Sequence, residues 1–203
     1  WGRHHEDTNY WLKAGGLSGY VMGHIGTYGG SYHNYKSQEQ SIYTIQLDLS
    51  NVADTGLQLM FDYDSWIYND DIDGFSVIAY TGAADTDYTG NSNWSLLNPN
   101  GSSDMRYENL TDFGNSDNTG RLDETQNGDF VGFNGSNLPD PGSPMTGVAM
   151  FDLTGLGFAG QSQVNLRFAF GSGSSDSAEG INIDNIKITG NCISGDAPGC
   201  NPP

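Results

Sequence analysis

The chain has 203 residues, with 7 Lys and Arg against 25 Asp and Glu, for a formal charge of −18. A surface this acidic repels nucleic acid and anionic membranes, and it suits neutral polymers, cations or basic ligands as partners. With 12% aromatic residues and several cleanly alternating segments, the chain reads as a folded protein of one domain, not as a disordered one.

No run of about 18 apolar residues occurs, so no membrane insertion by an apolar helix is expected. The chain reads as a mature or excised piece, since Trp1 opens no signal peptide. Its first 36 residues interleave Trp1, Tyr10, Trp11, Tyr20, Tyr28, Tyr32 and Tyr35 with glycines and with His4, His5, His24 and His33. Aromatic rings on glycine-flexed loops can stack on sugar faces. Equally, such rings can simply pack beneath the edge of a sheet.

From Tyr43 onward the period is two. Tyr43, Ile45, Leu47 and Leu49 alternate with Thr44, Gln46 and Asp48, and Leu57, Leu59, Phe61 and Tyr63 alternate with polar residues and Met60. Each run predicts a strand with one buried face. A third strand begins at Phe75 and Val77. Between the second and third lies Asp62 to Asp73, dense in carboxylates and rings. Asp70, Asp71 and Asp73, with Asn69 and backbone carbonyls, can offer the several oxygens that Ca²⁺ requires. The spacing is not that of an EF-hand loop, and a solvated acidic turn is the competing reading. Trp66, Tyr68 and Trp94 lie on or beside polar loops and are the candidate ligand-binding rings.

Long Gly, Asn, Ser and Asp-rich connections follow, and then Val164, Leu166, Phe168 and Phe170 form another apolar face with Asn165 and Arg167 on the opposite one. In the last strand the isoleucines fall at 181 and 183 and then at 186 and 188, so the inward face changes phase at Asp184 and Asn185. A β-bulge there returns both halves to the core and re-aims Asp184. If Asp184 is buried, it needs either a cation or several hydrogen-bond donors. The whole pattern predicts an all-β protein, a jelly-roll β-sandwich of two antiparallel sheets, occupying residues 1–190. Residues 191–203 read as a linker-like tail towards further domains of the same polypeptide. There, Cys192 and Cys200 suit a small disulfide loop in an exported protein.

Taken in order, Asp48-Leu49-Ser50, Leu59-Met60-Phe61-Asp62-Tyr63, Asp73-Gly74-Phe75-Ser76-Val77, Phe151-Asp152-Leu153-Thr154, Val164-Asn165-Leu166-Arg167-Phe168 and Ile183-Asp184-Asn185-Ile186 resemble the MAM-like modules of secreted bacterial proteins. These include the accessory domains of immune inhibitor A metallopeptidases, the cleaved adhesin domains of gingipains and the choice-of-anchor modules. The resemblance spans about residues 37–190 and implies a calcium-stabilised jelly roll, with Asp73 and Asp184 as calcium ligands. The family's acidic residue upstream of the former is a Glu, where this chain has Asp70 and Asp71.

The expected function is therefore a noncatalytic, secreted or cell-surface module that carries Ca²⁺ and attaches a larger enzyme or adhesin to a polysaccharide or another cell-surface polymer. An adhesion or spacer domain without a small ligand is the first alternative. A small jelly-roll polysaccharide lyase or hydrolase is the second, with His24, His33 and nearby tyrosines as its acid and base. Lyases of that kind need a cationic cleft, which seven basic residues in so acidic a chain build poorly. Neither a His-Glu-x-x-His helix motif nor a Gly-x-Ser-x-Gly elbow is present.

Overall fold

The computed structural model describes residues 2–6, 9–14, 40–67, 74–82, 94–109, 131–133, 145–171 and 180–193. Its strands are Gly2–Glu6 (β1), Asn9–Ala14 (β2), Gln40–Leu47 (β3), Gln58–Trp66 (β4), Gly74–Thr81 (β5), Ser95–Leu96 (β6), Glu108–Asn109 (β7), Val131–Gly132 (β8), Met145–Asp152 (β9), Val164–Gly171 (β10) and Gly180–Thr189 (β11). No helix occurs among the described residues.

The strands form a five-stranded sheet in the order β1-β2-β11-β4-β9, a four-stranded sheet in the order β3-β10-β5-β6, and the short pair β7-β8. Every pairing is antiparallel. The protein is thus all-β, and the two larger sheets bury their facing sides as a β-sandwich. From β2 to β5 the chain changes sheet at each step, and it does so again from β9 to β11.

The alternating runs produce the core as expected. Leu59, Phe61 and Tyr63 of β4 face Phe75 and Val77 of β5 and Val164, Leu166, Phe168 and Phe170 of β10, all buried. Phe61 is the centre of this layer. Its ring meets Phe75 edge-on at 6.1 Å, Phe168 edge-on at 5.5 Å and Phe151 in a stack at 5.8 Å. Edge-to-face pairs of this kind each add about 0.5–1.5 kcal/mol beyond the area they bury.

Two regions depart from the sequence reading. The first residues, expected as glycine-flexed loops, include the hairpin β1-β2, with Gly2 opposite Lys13 and Glu6 opposite Asn9, and β2 adds to β11 from Leu12 to Ala14. β9 shows little alternation because its inward residues are small where their neighbours are large. Gly147 lies opposite Tyr63, and Ala149 opposite Phe61. A methyl group on Gly147 would stand 2.8 Å from the Asp104 Cβ and 2.9 Å from the Tyr63 hydroxyl, so the ring can lie there only over a glycine.

Polar groups finish the edges and one end of the sandwich. Along β9, the Asn100 and Asp104 N–H groups donate to the Met150 and Val148 carbonyls at 2.8 and 2.9 Å, while Val148 and Met150 donate to the Asp104 carboxylate and the Ser103 hydroxyl. At the far end, Asp48 accepts from the Ser50 N–H and Asp152 from the Thr154 N–H, two equivalent turns after β3 and β9. Asn191 and Ile193, at the start of the expected tail, are bonded to the 51–55 turn, and Cys192 bridges to Val52.

Candidate functional site

Because β4 buries its odd-numbered residues, Asp62, Asp64 and Trp66 project from the outer face of the five-stranded sheet. Register places Asp184 opposite Asp62, Asn182 opposite Asp64 and Gly180 opposite Trp66 on β11, with Val148 and Thr146 flanking on β9. The result is a strip of carboxylates, with the Asn182 amide oxygen buried between them, that ends in an aromatic ring. Trp66 is 37% exposed, and its neighbour across the strands has no side chain to cover it. Side chains directly opposite each other lie about 4.5–5.5 Å apart at Cβ, so adjacent members of the strip can engage one ligand.

The phase change in β11 is a bulge. Asp184 pairs with Asp62 and Lys187 with Met60, so Asn185 and Ile186 together oppose one residue of β4. Asn185 takes a left-handed φ of 51°, the single positive φ outside glycine among the described residues, and its amide donates to the Asp62 carboxylate at 2.7 Å. Asn tolerates this conformation because its short polar side chain bonds locally. Ile181 and Ile183 before the bulge are buried, and Ile186 and Ile188 after it pack against the same core.

Asp184 itself is only half-buried, so the desolvation that would oblige it to hold a cation is moderate. No group of three or more potential metal-binding side chains occurs among the described residues. Asp70, Asp71, Asp73 and Tyr68 lie outside the described residues, as do His24, His33 and Cys200. Asp184 is level with Asp62, four strand residues or about 13 Å from Trp66, where the chain leads towards that acidic segment. No cysteine among the described residues is free.

Trp94 is a correction. Expected as an exposed stacking ring, it is 4% exposed, against the Tyr80 ring at 5.5 Å and beneath the Arg167 guanidinium, whose carbon is 3.9 Å from the ring centroid. Its position beside a polar loop concealed this, because the guanidinium that covers it comes from β10. The outer face of the four-stranded sheet is itself buried here. Arg167 is 1% exposed and donates to the Thr44 hydroxyl at 3.3 Å, and Asn165 donates to the Gly82 carbonyl and accepts from Gln46. Alternation placed Asn165 and Arg167 opposite the core, and it carries no information on what covers that opposite side.

A second polar centre lies at the β9 edge and was not anticipated. The Tyr63 hydroxyl is buried without a hydrogen-bond partner, and burial, followed by the nearby Asp104 carboxylate, pushes it up to about 12, with Arg106 working the other way. Arg106 is occupied by the Ser103, Met105 and Gly101 carbonyls. A phenol this reluctant to ionise, beside a guanidinium held by carbonyls, serves the fold and is poorly suited as a base.

No protein-family model matches the chain, and no curated protein matches it.

Proposed function

We propose that this protein is a noncatalytic, secreted β-sandwich module that binds a carbohydrate or another surface polymer on the outer face of its five-stranded sheet. The observation that carries this reading is Trp66, a half-open ring at the end of the Asp64, Asp62, Asn182 and Asp184 strip. An indole face takes the apolar side of a sugar ring, and the carboxylates accept from its hydroxyls. The strip is rich in acceptors, which favours neutral or amine-bearing polymers over sulfated or uronate ones.

The alternation of successive strands between the sheets supports a jelly-roll topology, and with the motifs quoted above it supports placement among the MAM-like modules. On that placement Asp73 and Asp184, with Asp70 and Asp71, hold structural Ca²⁺, and Cys192 pairs with Cys200. A module of this type works as part of a larger secreted or cell-surface enzyme or adhesin. Retention on a panel of immobilised polysaccharides, with soluble products measured in the same runs, tests the proposal. Retention without products supports it, retention with products makes the chain an enzyme, and no retention on any polymer leaves a spacer.

A further inference from the structure

On the outer face of the five-stranded sheet two carboxylates stand directly opposite each other, Asp62 on β4 and Asp184 on β11. Like charges so placed destabilise a sheet. The Asn185 amide donates to Asp62 at 2.7 Å but brings no positive charge. Two residues further along β4, Asp64 adds a third carboxylate opposite Asn182, whose own side-chain oxygen is buried without a hydrogen-bond partner. Three carboxylates around an unanswered acceptor make this a place where a positively charged N–H donor lowers the energy.

Trp66 lies on the same face of β4, two residues beyond Asp64. Opposite it, Gly180 has a left-handed φ of 87°, a conformation in which a side chain is strained, so the backbone itself keeps that side of the ring uncovered. From Trp66 to Asp62 is four strand residues, about 13 Å. A single sugar ring cannot touch both ends of that span.

On the polymer-binding reading given above, we propose that the ligand of this face is an amino-sugar chain with free amines, lying along β4. One of its rings rests on the Trp66 indole, and a protonated amine further along the chain sits between Asp62 and Asp184. Charge complementarity selects this class. At a formal charge of −18 the molecule attracts cations, and this face couples that attraction to an exposed ring. An ammonium on a carboxylate makes a charge-assisted hydrogen bond, stronger than the bond of a neutral hydroxyl in the same place. Acetylation of the amine removes its charge and keeps the sugar ring, so an acetylated chain retains the stacking contact and loses the ionic one. With contacts at both ends of the span the second becomes intramolecular, and affinity then depends on chain length.

Calorimetric titration of the intact chain with glucosamine oligomers of increasing length, and with their N-acetylated counterparts, tests this. The titrations are run at about pH 5.5, where the sugar amines are protonated, and without added Ca²⁺, which would draw on the same Asp184 carboxylate. The free-amine series should bind about tenfold or more tightly than the acetylated one, and its affinity should rise with length and level off once the chain reaches from Trp66 to Asp62. Trp66→Ala should weaken both series. Asp62→Asn should bring the free-amine affinity towards the acetylated one, whereas Asp48→Asn, an equal loss of charge in the turn after β3, should leave it unchanged. Should Asp62→Asn misfold by circular dichroism, Asp184→Asn takes its place. Equal affinity for the two series, or affinity indifferent to length, overturns the proposal and leaves the polymer-binding reading standing. Free-amine binding that survives Trp66→Ala, or that Asp48→Asn weakens as much as Asp62→Asn, is general attraction to an acidic surface and overturns it too. Binding of neither series does the same, and retention on the polysaccharide panel then decides whether the wider reading holds.

Discussion

The Arg167 guanidinium covers the Trp94 ring on the outer side of the four-stranded sheet, and both side chains are excluded from water. A desolvated cation over an indole is worth about 2 kcal/mol or more, and the ring adds its own buried area. Trp94→Ala should therefore cost about 3–5 kcal/mol, read as a fall in the midpoint of urea or thermal unfolding. A variant as stable as the parent would mean that the ring does not cover Arg167 in solution.

Trp66 is expected to behave in the opposite way. Its ring is half-open and faces Gly180, so Trp66→Ala should change stability by no more than about 0.5 kcal/mol while polymer retention is lost. Asp62→Asn and Asp64→Asn should weaken retention without abolishing it, because an amide keeps one acceptor oxygen. Affinity chromatography on the retained polymer, in parallel with unfolding, separates the two kinds of loss.

Calcium is the next test. If the acidic segment and Asp184 share an ion, excess chelator should lower the melting temperature, and Ca²⁺ at a hundred times its dissociation constant should restore about 2.7 kcal/mol. Asp184→Asn separates the roles of that side chain: a ligand loses metal affinity, whereas a hydrogen-bond hub beside Asp62 and Asn185 does not. Metal content and calorimetric titration of this variant give the answer.

Acid should loosen one end of the sandwich before the rest. Hydrogen bonds from the Ser50 hydroxyl and backbone N–H hold the Asp48 carboxyl below its ordinary range, and the Thr154 N–H, then its hydroxyl, does the same for Asp152. A depressed folded-state pKa gives stability that is present above the unfolded value of about 3.9 and is lost as pH falls through the folded one. Melting temperature should thus hold from neutral pH to about 5 and decline below about 4. Asp48→Asn with Asp152→Asn should flatten that decline, since neither amide titrates.

Gly147→Ala makes a steric test of the β9 edge. The added methyl would stand 2.8 Å from the Asp104 Cβ and 2.9 Å from the Tyr63 hydroxyl, so the ring or the covering segment must shift. Overpacking of this kind costs about 1–3 kcal/mol. Amide exchange at Val148 and Met150 should quicken in the variant, because their acceptors lie on the displaced segment.

Strands with large residues on one face were legible in the sequence, and the bulge at Asp184 was legible from the change in isoleucine spacing alone. β9 was not, because Gly147 and Ala149 face inward to make room for Tyr63 and Phe61. A residue can be small because of what lies across from it, and period two does not record that. Of the candidate ligand-binding rings, Trp66 stands where an outward position in β4 puts it. Trp94 does not, since the burial of a ring beside a loop depends on which strand passes over it, and Arg167 is 73 positions further along the chain.

The order of strands also governs when the chain can fold. β3 is held by β10, and both β2 and β4 by β11, while the Phe61 ring waits for Phe151 and Phe168 to arrive from the last third of the sequence. A nascent chain that has emerged only as far as β5 can form no completed sheet from these pairings and leaves its largest apolar residues wet. Folding is thus deferred until nearly the full length is free, which keeps the polypeptide threadable through a narrow channel up to that moment.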